Sequence, residues 1–309
     1  MEVSHLIRNG ILRLPTNCRS TDLIIKTDIK MLTLFGFSQK SLTIQGNLEN
    51  LICNNNGINR ITLNHNLRYL NCSGNYITQL DLNEKLEKLI CSENFLTSLV
   101  ANENLVHLNC SDNNLIHLIL NENLKVLRCS DNSLTRLLLN YQLETLSCPR
   151  NLLTDLDLNR KLKYLDCSEN LLESISSNLE LVELSCNDNN LQNLRFSRNL
   201  QTVLCGDNLL SEIFPNENLK ELHCENNKIT ALTVNTDLLF LVCSNNKMTS
   251  LKLNEKITFV ECEDNLLSTL MIPESMRTLK CENNDLPFTN LDEYHEKRNL
   301  HFCKSIFKN

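Results

Sequence analysis

The stretch that decides the reading is LEKLICSENFLTSLVANEN at residues 86–104, followed without a gap by LVHLNCSDNNLIHLILNEN at 105–123. Each segment is 19 residues long. They agree at Leu86 and Leu105, Leu89 and Leu108, Cys91 and Cys110, Asn94 and Asn113, and Leu96 and Leu115. Outward in both directions the same interval recurs, so that Cys53, Cys72, Cys91, Cys110, Cys129, Cys148, Cys167, Cys186, Cys205, Cys224, Cys243, Cys262 and Cys281 form one unbroken series. A fixed period near 20 residues marks a solenoid, whose units contact only their neighbours. The 309 residues therefore count coils rather than domains.

Counted from each cysteine, a large apolar residue stands five before, from Leu48 to Met276, and Leu or Val stands two before. Asn stands three after in every repeat, from Asn56 to Asn284, and Leu, Ile or Met stands five after. Around Leu51-x-Cys53 the apolar residues alternate, as in a strand with one buried face. Stacked coils would pair such strands in parallel at about 4.8 Å. An Asn amide both donates and accepts, so a stacked Asn row can serve the backbone groups freed where the chain leaves the strand. That row, and a second one beginning at Asn64 and Asn83, explain much of the 47 Asn. The return leg, as in Ile77–Leu82, is too short for an ordinary helix and predicts an extended or second-strand return.

The unit L-x-x-L-x-C-x-x-N-x-L resembles the leucine-rich repeat, with Cys in its third apolar position. The resemblance covers residues 48 to about 286 and implies a mostly β solenoid. Its parallel strands would lie on the concave face, with few or no helices outside the caps. Residues 1–47 read as an N-terminal cap with one degenerate repeat around Ile29, Leu32 and Leu34, Phe37 standing in place of the Asn. Residues 48–294 read as thirteen repeats and 295–309 as a C-terminal cap, with a short helix expected over 291–300. The cysteine row is similar to that of internalin-type surface proteins. Their export and wall-anchoring signals are not recognisable here, so a surface location does not carry over. The Asn-rich short repeats are similar to leucine-rich repeat proteins of large DNA viruses.

The series of 13 among 15 cysteines does not read as a disulfide framework, because in-register neighbours would sit farther apart than a bridge prefers. It offers no convergent zinc cage. No one thiol stands out with a base beside it as a nucleophile would. Small buried thiols suit a narrow coil interior, and a reduced array implies an intracellular, reducing compartment. Cys303, near His295 and His301, reads as a cap residue, since so short a tail builds no catalytic domain. No nucleotide-, zinc- or serine-hydrolase motif occurs. Catalytic residues, cofactors and metals are therefore all expected to be absent. A pI of about 5.6 argues against nucleic acid, and no apolar run is long enough to span a membrane.

Three positions per coil should face outward on the strand face: three before, one before and one after the cysteine. Along them the candidate protein-binding residues are Tyr69, His107, Tyr164, Leu204, Phe240, Val242 and Phe259, with Leu204, Phe240, Val242 and Phe259 in neighbouring coils. An acidic row two after the cysteine (Glu93, Asp112, Asp131, Glu169, Asp188, Asp207, Asp264) reads as a solvated edge. The expected function is non-catalytic binding of another protein through the concave face, the partner being unknown. The alternatives are a self-assembling or virion-associated scaffold and, behind it, a pathogen effector acting on host proteins.

Overall fold

The computed structural model describes residues 2–14, 20–36, 38–176 and 178–306, and the backbone alone of 38–40 and 299–306. Cys18, Phe37 and Ser177 lie outside the described residues, as do the side chains of His301 and Cys303. The chain forms a leucine-rich repeat solenoid whose contacts divide it into two compact units, Met1–Leu162 and Lys163–Asn309.

In the first unit, three-residue strands pair in parallel, from Asn50–Ile52 through Tyr69–Asn71, Lys88–Ile90, His107–Asn109 and Val126–Arg128 to Thr145–Ser147. Each register step is one 19-residue coil, as in Leu89 opposite Leu108. Before them stand Ile11–Arg13 and Met31–Phe35, paired at Leu12 and Leu34, 22 residues apart. The first of these strands escapes a 19-residue template because its coil is longer. Return legs form a three-stranded parallel sheet of Asp22–Thr27, Ser38–Gly46 and Gly57–Thr62, and a two-stranded one of Ser98–Val100 and His117–Ile119. Others, such as 77–82, form no strand and bend at Thr78.

The second unit repeats the pattern in Tyr164–Asp166, Glu183–Ser185, Thr202–Leu204, Glu221–His223, Phe240–Val242, Phe259–Glu261 and Thr278–Lys280. Ala231–Thr233 pairs Ser250–Lys252 on its return side. The C-terminal helix spans Leu291–Ile306, beyond the expected 291–300. Its start is a variant of the capping box: the Asn290 side chain accepts from the Glu293 N–H, and the Glu293 carboxylate accepts from the N–H of Thr289, one residue before the cap. Phe288 is buried edge-on against Tyr294 beside Cys281.

Inside each unit the apolar columns are almost fully buried, and so are all thirteen series cysteines, none of which is in a disulfide. The Asn three after each cysteine is saturated. Asn94 donates to the carbonyls of Cys72, Cys91 and Ser92 at 3.0–3.1 Å and accepts from the Ile77 N–H at 3.0 Å, tying two coils together. The second Asn row acts likewise, with Asn140 donating to Asn121 and Leu124 carbonyls.

Candidate functional site

The residue two after each cysteine has a left-handed backbone. In the first unit φ is +52° at Asn55, +63° at Gly74, +54° at Glu93, +54° at Asp112 and +55° at Asp131; in the second it is +53° at Asp188 and +54° at Asn245. Asn, Asp and Gly tolerate this region best. The aspartates of the acidic row thus have a backbone cause as well as exposure, because Asp suits the turn, whereas Glu93 and Glu169 hold the same torsion against their preference. Burial, then the neighbouring acids, raises Asp112 and Asp188 above the ordinary aspartate value.

The sequence-selected residues fall in both units. In the first, Tyr69 is half-buried with the Lys88 ammonium 5.7 Å from its ring centre. His107 is exposed two strands further on. Partial burial, then Lys88 and Lys125, lowers its pKa below the ordinary imidazole value. In the second, Tyr164 is 43% exposed on the strand Tyr164–Asp166. Leu204, Phe240, Val242 and Phe259 are brought together on one face.

Register explains how. Glu221, Phe240, Phe259 and Thr278 stand opposite one another in one column, and Leu204, His223, Val242, Glu261 and Lys280 in the next. Phe240 and Phe259 stack with centres 4.0 Å apart and planes 6° apart, and His223 stacks on Phe240 at 5.3 Å and 19°. The His223 imidazole is held by a Glu221 carboxylate oxygen at 3.0 Å. Sequence reading expects an exposed apolar group here. In the structure Leu204, Phe240, Val242 and Phe259 are half-buried, because in-register rings one coil apart shield each other. His223 was not selected from sequence, although its column position beside Phe240 was legible.

The most uncovered apolar column lies elsewhere. On the return side of the first unit, Val100, Ile119 and Leu138 are 60%, 59% and 67% exposed in successive coils. The signal for them was three apolar residues in register where Asp81 and Asp157 flank the row. Among the described residues no cluster of His, Cys, Asp and Glu could hold a metal ion. Among the same residues no helix is long and apolar enough to cross a membrane.

Buried thiols in register, an Asn at every turn and parallel three-residue strands define the class: this chain is a leucine-rich repeat protein of the short, cysteine-ladder type. No protein-family model and no curated protein matches it. Among solved structures it is similar to the functional domain of InlJ from Listeria monocytogenes, which includes a cysteine ladder. Identity is 30% over 86% of this chain and 63% of that one, with a TM-score of 0.74. This chain thus spans less than two thirds of that domain. It is similar in fold to YopM from Yersinia enterocolitica, at 23% identity over 89% of this chain and 72% of that one, TM-score 0.67. It is also similar in fold to the plant peptide hormone receptor RGFR1 in complex with RGF2, at 18% identity over 90% and 63%, TM-score 0.61.

Proposed function

We propose that this protein is a non-catalytic scaffold that recognises another protein through the ladder-strand face of its second unit. The observation that carries the reading is the stacked Phe240–Phe259 pair, flanked by His223, Val242 and Leu204, on an otherwise polar face. Aromatic anchors amid polar neighbours are what protein contacts concentrate. Extended strand faces are where repeat proteins bind. A similarly folded receptor, whose structure is of a complex with a peptide hormone, is in keeping with this. Thirteen buried cysteines outside any disulfide support an intracellular, reducing compartment.

The test is recovery of partners from native lysate by the full chain, compared with Phe240→Asp/Phe259→Asp, with cross-links mapped on whatever is recovered. Cross-links on the ladder face and loss of recovery in the variant are expected. Unchanged recovery by a variant with native circular dichroism would remove the site. A second reading, self-association, is favoured by the uncovered Val100, Ile119 and Leu138 column. Light scattering that shows only monomer at high concentration would exclude it.

A further inference from the structure

We propose that the ladder face of the second unit recognises a segment that pairs an apolar side chain with a lysine or arginine, and that Glu225 receives the cation. This rests on the ladder-face reading above and specifies the partner's chemistry.

The first support is charge. In the six coils from Glu183 to Glu282, the three outward columns carry Glu183, Glu221, Glu225, Glu261, Glu263 and Glu282 against one lysine, Lys280. Lys280 is already engaged, its Nζ 2.5 Å from Glu261 Oε1. Glu221 is engaged by His223. Glu225 and Glu263 form no ion pair within 4 Å among the described residues; Glu263 meets the Ser244 hydroxyl at 3.5 Å and, at longer range, shares the charge of Lys280. An acidic face disfavours acidic partners and steers basic ones.

The second support is independent of net charge. Glu225 Oε2 is buried and accepts no hydrogen bond. A buried carboxylate oxygen without a donor is costly; Glu225 as a whole is half-buried, so a cation that draws its carboxylate outward supplies the donor that Oε2 lacks where it lies. The carboxylate lies over Gly206 in the preceding coil, where a Cβ would come within 2.7 Å of Glu225 Oε1. In the same column most coils of this unit carry a side chain, such as Ser168, Asn187 and Ser244. The missing side chain at Gly206 is what lets Glu225 lie down. Its charge also reaches the core: after burial, Glu225 raises the Cys224 thiol, and after burial and the neighbouring thiols it adds a smaller contribution at Cys205 and Cys243.

The third support is spacing. Glu225 follows Cys224 and Phe240 precedes Cys243 by three, so anchor and acid lie one coil apart and four residues apart along the strand direction, roughly 13 Å. An extended segment spans that with an apolar residue on the phenylalanine stack and a lysine or arginine two to four residues away. A single metal ion does not fit, because Glu225 and Glu263 belong to coils two steps apart, roughly 10 Å.

The probe is a displayed library of random 12-residue peptides selected on the full chain. Enrichment of Lys or Arg within four residues of Leu, Ile or Phe is expected. With Glu225→Gln/Glu263→Gln as bait, the basic enrichment should vanish and the apolar enrichment persist. A synthesised peptide from the wild-type selection should bind that variant about tenfold more weakly. Gly206→Ser, which displaces the carboxylate, should weaken it similarly. Glu103→Gln/Glu122→Gln, exposed on the first unit, removes equal charge and should leave binding unchanged. Peptides without basic residues, no enrichment, or equal weakening by the distant pair would each overturn the proposal. Loss of all selection with Phe240→Ala/Phe259→Ala supports both readings. Basic peptides indifferent to both site variants would overturn both, whereas uncharged peptides that need the phenylalanines would overturn only this one.

Discussion

Replacing Asn113 by alanine tests what holds one coil to the next. The side chain is buried; its amide donates to the carbonyls of Cys91, Cys110 and Ser111 at 3.0–3.1 Å, and its Oδ1 accepts from the Leu96 N–H at 3.0 Å. The four contacts are not equal. The Cys91 carbonyl keeps Asn94 as a donor, the Cys110 carbonyl keeps Asn132, and the Ser111 carbonyl keeps the Glu93 N–H. Only the Leu96 N–H is left buried with no acceptor. An orphaned buried donor costs about 1–3 kcal/mol, and the three shared bonds add a smaller amount, so about 2–4 kcal/mol is expected for Asn113→Ala. Asn113→Asp keeps the acceptor but sets an ionised oxygen against carbonyl oxygens, and should cost more than alanine at pH 7. Burial and the carbonyls raise that carboxyl's folded pKa above its unfolded value near 4. The aspartate penalty is therefore absent below about pH 4 and grows as pH rises to the folded pKa. Urea unfolding followed by circular dichroism at pH 4 and pH 7 reads both effects. Exposed Asn114→Ala is the control, expected within about 0.5 kcal/mol of wild type. If Asn113→Ala costs no more than that control, the Asn row does not tie the coils and the reasoning fails.

Other outcomes are equally specific. Burial pushes the Cys72 and Cys110 thiols up to about 12, leaving on the order of one thiolate in ten thousand at pH 8. Iodoacetamide should spare the thirteen series cysteines in the native protein and modify them in denaturant, as mass spectrometry would show; one fast-reacting member would contradict their packing role. At the left-handed turn, Glu93→Asn should stabilise by about 0.5–1 kcal/mol and Asn245→Val destabilise by about 1–2 kcal/mol, read by calorimetry. Opposite signs would mean that the turn does not select these residues. Gly46 has φ +96°, and a Cβ there would lie 2.1 Å from the Thr27 carbonyl oxygen. Gly46→Ala should therefore cost more than about 2 kcal/mol in a denaturant melt, and a neutral result would show that the two return strands separate easily.

Periodicity made much of this legible. A residue that recurs every 19 positions must recur at the same place in space, so the buried columns, the strand at Leu51-x-Cys53 and the Asn turn all follow from the string of letters. Where the period breaks, reading failed: the strand Ile11–Arg13 belongs to a 22-residue coil and has no cysteine or Asn to announce it. The two-after position was read by its charge, but its acids and amides share a backbone torsion that composition does not express.

The sequence by itself determined the class, the repeat length and which side of each strand is buried, because those depend on local alternation and on a count. The tertiary structure alone decided how exposed the outward residues are and what each touches. Phe240 and Phe259 read as two exposed rings on a line of text; stacked one coil apart they shield each other, and His223 closes the end. Glu225 was one glutamate among 37 acidic residues until Gly206, 19 positions earlier, was seen to lie beneath it. Contacts across coils depend on the shapes of both partners, and the period says only that the two residues meet.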